Sequence, residues 1–224
     1  DQAVRTDHGV LPAPDGLERA FGVDGEPAVD VEVAGGRTVT FRGRIDRVDR
    51  SPDGRDVVVY DYKTGRSRPD LGDDPVGAGR YLQLPVYALA AKDRERAERA
   101  TAFYWYIGDH GDTPFVGVDL DEAHERFVEV VGTIAAGIEG GRFTAVPGER
   151  TYNPRAQRET FESCAFCDFD RLCPVDRGTM AERKQDDPAN LPFRNLRLPE
   201  PDEAPDGTLD EPGPERTPKR RGDA

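Results

Sequence analysis

Apolar and polar residues alternate along the first part of the chain with the period of two that marks half-buried strands. The pattern starts in AVDVEVAGG (28–36) and turns at Gly35 and Gly36. It resumes in GRTVTFRGRID (36–46), where Val39, Phe41 and Ile45 share one face and Thr40, Arg42, Arg44 and Asp46 the other. SPDG at 51–54 is a tight-turn signature, and RDVVVYDYK (55–63) reads as the returning strand. Together these segments predict a three-stranded antiparallel meander. The period then lengthens, because Leu82, Val86 and Leu89 recur at helical spacing in RYLQLPVYALAAKDRERAERA (80–100). Pro85 requires that helix to start close before it or to kink there. TAFYWYI (101–107) predicts a strand, PFVGVDL (114–120) its short partner, and DEAHERFVEVVGTIAAGIEG (121–140) an amphipathic helix with Phe127, Val131, Ile134 and Ile138 on one face. The order predicts an α/β fold with a mixed central sheet flanked by helices.

The flanks read differently. Residues 1–25 are rich in Asp, Gly and Pro around one apolar patch at Leu17 and Phe21, a lead-in to a domain spanning 26–180. From 185 to 224 the chain shifts to Pro, Asp, Glu and Gly, which bury too little to offset ordering and predict a disordered tail. Its terminal Lys219, Arg220 and Arg221 read as solvated. With 36% hydrophobic and 33% charged residues, 19 Pro and 24 Gly, the composition allows one core and much loop. The 44 acidic against 31 basic residues give a net charge of −13, which argues against coating of nucleic acid by the whole surface. A local basic groove or a metal-bridged phosphate site stays open. Without a run of about 18 apolar residues or a signal-peptide pattern, the expectation is a cytoplasmic protein with no membrane partner. The chain opens with Asp1 and its one methionine is Met180, which gives the expectation of a piece of something longer.

Candidate chemistry gathers at the strand ends. Val57, Val59, Asp61 and Lys63 alternate onto one face, so a buried strand finishes in an acid and a lysine. An exposed strand-end pair, contributing little, is the plain alternative. Asp46 ends the preceding strand, and the 51–54 turn brings the two acids to one end of the sheet. Two carboxylates and a backbone carbonyl suffice for Mg²⁺ or Mn²⁺, and a lysine beside them can orient water or neutralise charge in phosphodiester hydrolysis. On the following helix Gln83 and Tyr87 lie one turn apart, with Arg80 three residues earlier, an amide, a phenol and a guanidinium suited to a phosphate backbone.

GRIDRVD, VYDYKTG and YLQLPVYALA, in that order, resemble the core of the PD-(D/E)XK nuclease superfamily, in particular the RecB-like domains attached to recombination helicases. The resemblance covers roughly 26–175 and implies a restriction-endonuclease-like fold. It implies metal binding by Asp46, Asp61 and the carbonyl of Tyr62, catalysis assisted by Lys63, and a Gln83/Tyr87 helix that contacts DNA together with Arg80. The activity implied is a Mg²⁺-dependent DNA exonuclease acting on single-stranded ends and partnered by a helicase in double-strand-break repair. Two other readings stand beside it: a non-cutting module that binds DNA or braces a helicase, and a CRISPR-associated exonuclease. The family's upstream histidine or acid has no clear match, since His8 lies in a loop-like setting and Glu18 fits no better.

All three cysteines fall in CAFCDFDRLCP, as C-x2-C-x5-C at Cys164, Cys167 and Cys173. Clustered thiols in a reducing compartment point to a metal or cluster over a disulfide, and zinc accepts such a set. The resemblance implies instead a [4Fe-4S] cluster whose fourth ligand lies outside this chain.

Overall fold

The computed structural model describes residues 10–196, apart from 66–70, 72, 108–114, 154–156, 166 and 170–171. His8 and the terminal Lys219, Arg220 and Arg221 therefore lie outside the described residues.

The central sheet has five strands: β1 (Leu11–Phe21), β4 (Gly43–Arg50), β5 (Asp56–Lys63), β6 (Arg99–Tyr106) and β7 (Phe115–Asp119), adjacent in that order. β5 and β6 run parallel and the other neighbours antiparallel, which makes the sheet mixed. A parallel pair needs a crossover, and helix α1 (Gln83–Glu95) supplies it. Pro85 sits in the first turn of α1, where its missing N–H leaves no helical hydrogen bond unmade. Helix α2 (Leu120–Glu139) follows β7 directly, with the Asp119 carboxylate capping the N–H groups of Asp121 and Glu122.

Both helices cover the sheet face that carries Val57, Val59, Ala100, Ala102 and Val118, and Leu84, Val86, Phe127 and Val130 complete that core. Phe127 and Val131 are buried as their spacing predicts, whereas Ile138 near the end of α2 is exposed. On the opposite face a smaller cluster of Val10, Val58 and Tyr60 packs with Phe103, Trp105 and Phe115.

Three expectations change. The meander is interrupted: β2 (Val29–Val33) and β3 (Arg37–Phe41) form a hairpin of their own, and the chain leaves it at Arg42 to enter β4. The place beside β4 belongs to β1, so residues 11–21 are an edge strand of the sheet rather than a lead-in. β1 escaped notice because its register shifts between Pro12 and Leu17, which breaks the period-two pattern. Finally, residues 185–196 are ordered. After the hairpin of β8 (Arg150–Asn153) and β9 (Arg158–Phe161) and the short helix α3 (Arg177–Arg183), helix α4 (Leu191–Asn195) returns to the body of the protein. Leu196 is buried in the main core, Phe193 packs on it, and an Arg126 guanidinium nitrogen donates to the Leu196 carbonyl at 2.6 Å. A few apolar anchors in a polar stretch outweigh its average composition. Among the described residues no helix is long and apolar enough to cross a membrane.

Candidate active site

The β4–β5 ladder runs from Arg50↔Val57 to Arg47↔Tyr60 and stops. One residue further on, Asp46 and Asp61 are next in register, and a side chain takes the place of the backbone partner: the Tyr62 N–H donates to Asp46 Oδ2 at 2.8 Å. In an extended strand the N–H and C=O of one residue face the same neighbour, so the Tyr62 carbonyl also looks toward Asp46. The sequence-predicted acids and carbonyl thus come together where the sheet opens.

Asp61 is buried at the end of β5. Gln83 Nε2 donates to its Oδ1 at 2.8 Å, and Lys63 Nζ forms an ion pair with its Oδ2. Asp61 Oδ2 is thus buried and compensated by the Lys63 ammonium. Burial pushes the Asp61 carboxyl upward from its ordinary value, Lys63 pulls it back, and the charge of Asp46 adds to the rise. Lys63 Nζ also donates to Gln83 Oε1 at 3.1 Å and lies 4.8 Å from the centre of the Tyr104 ring. Gln83 Nε2 further donates to the Tyr87 hydroxyl at 3.0 Å, which closes a network of Asp61, Lys63, Gln83 and Tyr87. Arg80 is not part of it: it is exposed in the turn before α1 and does not share the helical face of Gln83.

The other letters of the GRID motif have structural reasons. A Cβ on Gly43 would come within 2.8 Å of the Phe21 ring, and Phe21 meets Tyr87 edge-on with centroids 5.9 Å apart. Gly43 therefore lets β1 approach and support the helix side of the site. Arg44 donates to the Glu18 carbonyl at 3.2 Å and to the Asp24 carboxylate at 2.7 Å, fixing β1 where it bends.

Glu18 is the residue that sequence reasoning set aside. Leu17 pairs with Arg47 and Arg19 with Ile45, so Glu18 stands opposite Asp46. The register draws Glu18, Asp46 and Asp61 into one row across β1, β4 and β5, continuing to Tyr104 on β6. Glu18 holds φ of +50°, uncommon outside glycine, and it is exposed. Burial raises the Tyr87 phenol most, and the charges of Asp61, Asp46 and Glu18 add to that rise. Only pairing of β1 with β4 reveals this, and no local signal announced that pairing.

The donor set fits a hard divalent cation: a buried acid, a second acid next in register beside it, and a carbonyl facing the same gap. The described residues do not bring three His, Cys, Asp or Glu side chains within joint reach of one ion, so the protein side chains alone leave the shell to be completed by the carbonyl and water.

The cysteines lie apart from this site. Cys164 ends a short 3-10 turn, Glu162–Cys164, and is half-buried, while Cys167 and Cys173 are exposed, and all three are free thiols. Cys164 and Cys173 line a groove of about 790 Å³ together with Phe161 and Met180. As placed, the three thiols do not form a ligand set among the described residues.

Residues 2–174 match the PD-(D/E)XK nuclease superfamily, and the chain belongs to that superfamily. Over 83 residues it is 47% identical to one of the subunits that form the ATP-dependent helicase/deoxyribonuclease of Symbiobacterium thermophilum, covering 34% of this chain and 7% of that protein. The subunit of the same name from Alkaliphilus metalliredigens is 36% identical over 106 residues, 43% of this chain and 9% of that protein. The chain thus spans under a tenth of the length of these relatives. Among solved structures, that of SSO0001 aligns over 78% of this chain and 64% of the other with a TM-score of 0.35 and 18% identity.

Proposed function

We propose that this chain is the nuclease domain of a helicase-nuclease, a Mg²⁺- or Mn²⁺-dependent deoxyribonuclease that trims single-stranded DNA ends in double-strand-break repair. The observation that carries the reading is the convergence of Asp46, the buried Asp61 and Lys63 where the β4–β5 ladder opens. A buried carboxylate beside a second acid is costly in a purely structural role and is accounted for if a divalent cation joins Lys63 in compensating the two charges. The relatives are named as helicase/deoxyribonuclease subunits, which supports a DNA substrate and a helicase partner for this domain.

In this reading Asp46, Asp61 and the Tyr62 carbonyl hold the ion. The chemistry such an ion supplies is activation of water and neutralisation of charge at the phosphate. Lys63 keeps a positive charge beside the scissile phosphate, where it offsets negative charge that builds in the transition state. Gln83 positions both Lys63 and Asp61, since its amide oxygen accepts from the first and its amide nitrogen donates to the second. Tyr87 fixes the orientation of that amide by accepting its second N–H. Arg80, exposed at the entrance to α1, contacts the DNA backbone outside the network. The C-x2-C-x5-C spacing of Cys164, Cys167 and Cys173 is what supports three ligands of a [4Fe-4S] cluster completed from outside this chain, and it requires the three thiols to draw together from where they stand apart in this structure.

The test is cleavage of end-labelled single-stranded DNA by the purified chain with Mg²⁺ or Mn²⁺ against an EDTA control. The expected result is metal-dependent shortening from an end. A folded chain that binds the strand and leaves it uncut under both metals would make this a non-cutting module.

A further inference from the structure

Lys63 is held from three sides, and one side is aromatic. Its ammonium meets the Asp61 carboxylate, donates to Gln83 Oε1 at 3.1 Å, and stands 4.8 Å from the centroid of Tyr104. Tyr104 owes that place to the parallel register, which sets it directly beside Asp61, two positions before the Lys63↔Tyr106 pair. It is 5% exposed and belongs to the main core. Lys63 by contrast keeps 34% of its side chain exposed and has a flexible four-carbon stem.

We infer that Tyr104 is a positioning residue for catalysis: its ring face is the platform that keeps the Lys63 ammonium over the site. The inference rests on the nuclease reading, in which Lys63 acts at the phosphate. The three contacts differ in what they withstand. The carboxylate contact competes with any cation for the same oxygen, and the amide is shared with Asp61 and Tyr87. The ring competes with neither, because a quadrupole attracts the ammonium without using a lone pair of the metal ligands. A partly desolvated ammonium over a buried ring is the setting in which this attraction is strongest. The ring, and not the hydroxyl, carries the effect.

That separation makes the test specific. Tyr104→Phe keeps the ring, and Tyr104→Leu keeps an apolar residue without a π face. With DNA and Mg²⁺ saturating, Tyr104→Phe is expected to turn over within about twofold of the parent. Tyr104→Leu is expected to lose about five- to tenfold in kcat with KM unchanged, the scale of a partly desolvated cation–π contact. A readout free of catalysis comes from NMR of the metal-free chain labelled with ¹³C-lysine. The ε-methylene signal of Lys63, assigned by its absence in Lys63→Arg, should be shifted upfield by the ring current in the parent and in Tyr104→Phe. It should return to the ordinary lysine position in Tyr104→Leu. An unshifted Lys63 signal in the parent would overturn the inference even if Tyr104→Leu did not fold, and so would equal kcat for the Phe and Leu variants. If the parent cuts no DNA, the nuclease reading fails, while the NMR result still decides whether the platform exists.

Discussion

Two acid–base pairs at the same spacing sit on neighbouring strands and face opposite ways. Asp61 and Lys63 on β5 point to the helix side, and Arg47 and Asp49 on β4 point to the other. The second pair is closed. Arg47 Nε and Nη2 each donate to an Asp49 oxygen at 2.7 Å, with side chains 7% and 1% exposed. The guanidinium also lies 5.2 Å from the Tyr60 ring and 5.8 Å from the Trp105 ring. The first pair is open, with Lys63 reaching solvent while Asp61 stays buried. Spacing along a strand puts charges on one face, but hydrogen-bond saturation separates a pair that braces the sheet from one that can take part in chemistry.

The largest break in this comparison is Asp61→Asn. In the proposed reading Asp61 is a metal ligand, so cleavage should fall by about 10⁴-fold or more, roughly 5 kcal/mol of transition-state stabilisation. Stability should move the other way. The folded-state pKa of Asp61 is raised by burial, so its contribution is fully present below the unfolded carboxyl value and is lost as pH rises through the folded one. At neutral pH its ionised form is therefore a cost, which Asn removes. In EDTA the Asn variant should melt above the parent at pH 7, with the gap closing as pH falls toward 4. An equal or lower Tm at pH 7 would mean that Lys63 compensates the carboxylate fully.

Arg47→Ala comes next and should act only on stability. Removing one member of a closed buried pair leaves Asp49 charged without its partner, a loss of about 3–5 kcal/mol. Replacing both members, as Arg47→Met with Asp49→Leu, should cost much less, since no charge stays unpaired. Urea unfolding of the parent, the single and the double variant measures both. A single variant within about 1 kcal/mol of the parent would show that this pair braces nothing.

The two pairs also mark how far the sequence could be read. Asp46, Asp61, Lys63, Gln83 and Tyr87 were legible because each lies in or next to an element with regular periodicity, and the turn at 51–54 fixes which strand ends meet. Glu18 was not, because its row depends on the pairing of β1 with β4 across the intervening β2–β3 hairpin. Tyr104 was visible as a strand residue, but its contact with Lys63 arises from the parallel β5–β6 register, which no hairpin turn specifies. Arg80 was placed on the helix by counting back from Gln83, and the helix begins only at Gln83. The sequence around Arg47 and Asp49 has the same i, i+2 spacing as the catalytic candidates, and only burial on the far face tells them apart. The segment 191–196 was hidden by composition, since two apolar anchors, Phe193 and Leu196, are averaged away among prolines and acids.

The smallest effect belongs to Tyr60, which lies under the closed pair. It is fully buried, its ring stacks with Phe103 and meets Trp105 edge-on, and its hydroxyl has no hydrogen-bond partner among the described residues. Arg47 turns its guanidinium face to the ring while its Nε and Nη2 donors go to Asp49 and Nη1 reaches the Tyr62 hydroxyl at 3.5 Å. The ring is therefore what this cluster uses, and the hydroxyl is a desolvated group without compensation. Tyr60→Phe keeps the ring and removes that group, so it should stabilise the protein by about 1 kcal/mol. The sign has a second check in pH. Burial, with the charge of Asp49, pushes the Tyr60 phenol up to about 12, so its stability contribution is present below pH 10 and is lost as pH rises toward 12. The advantage of Phe should then widen above pH 10 in urea unfolding. A Tyr60→Phe variant less stable than the parent at pH 7 would mean that the hydroxyl is satisfied in solution, and that the closed face owes part of its stability to it.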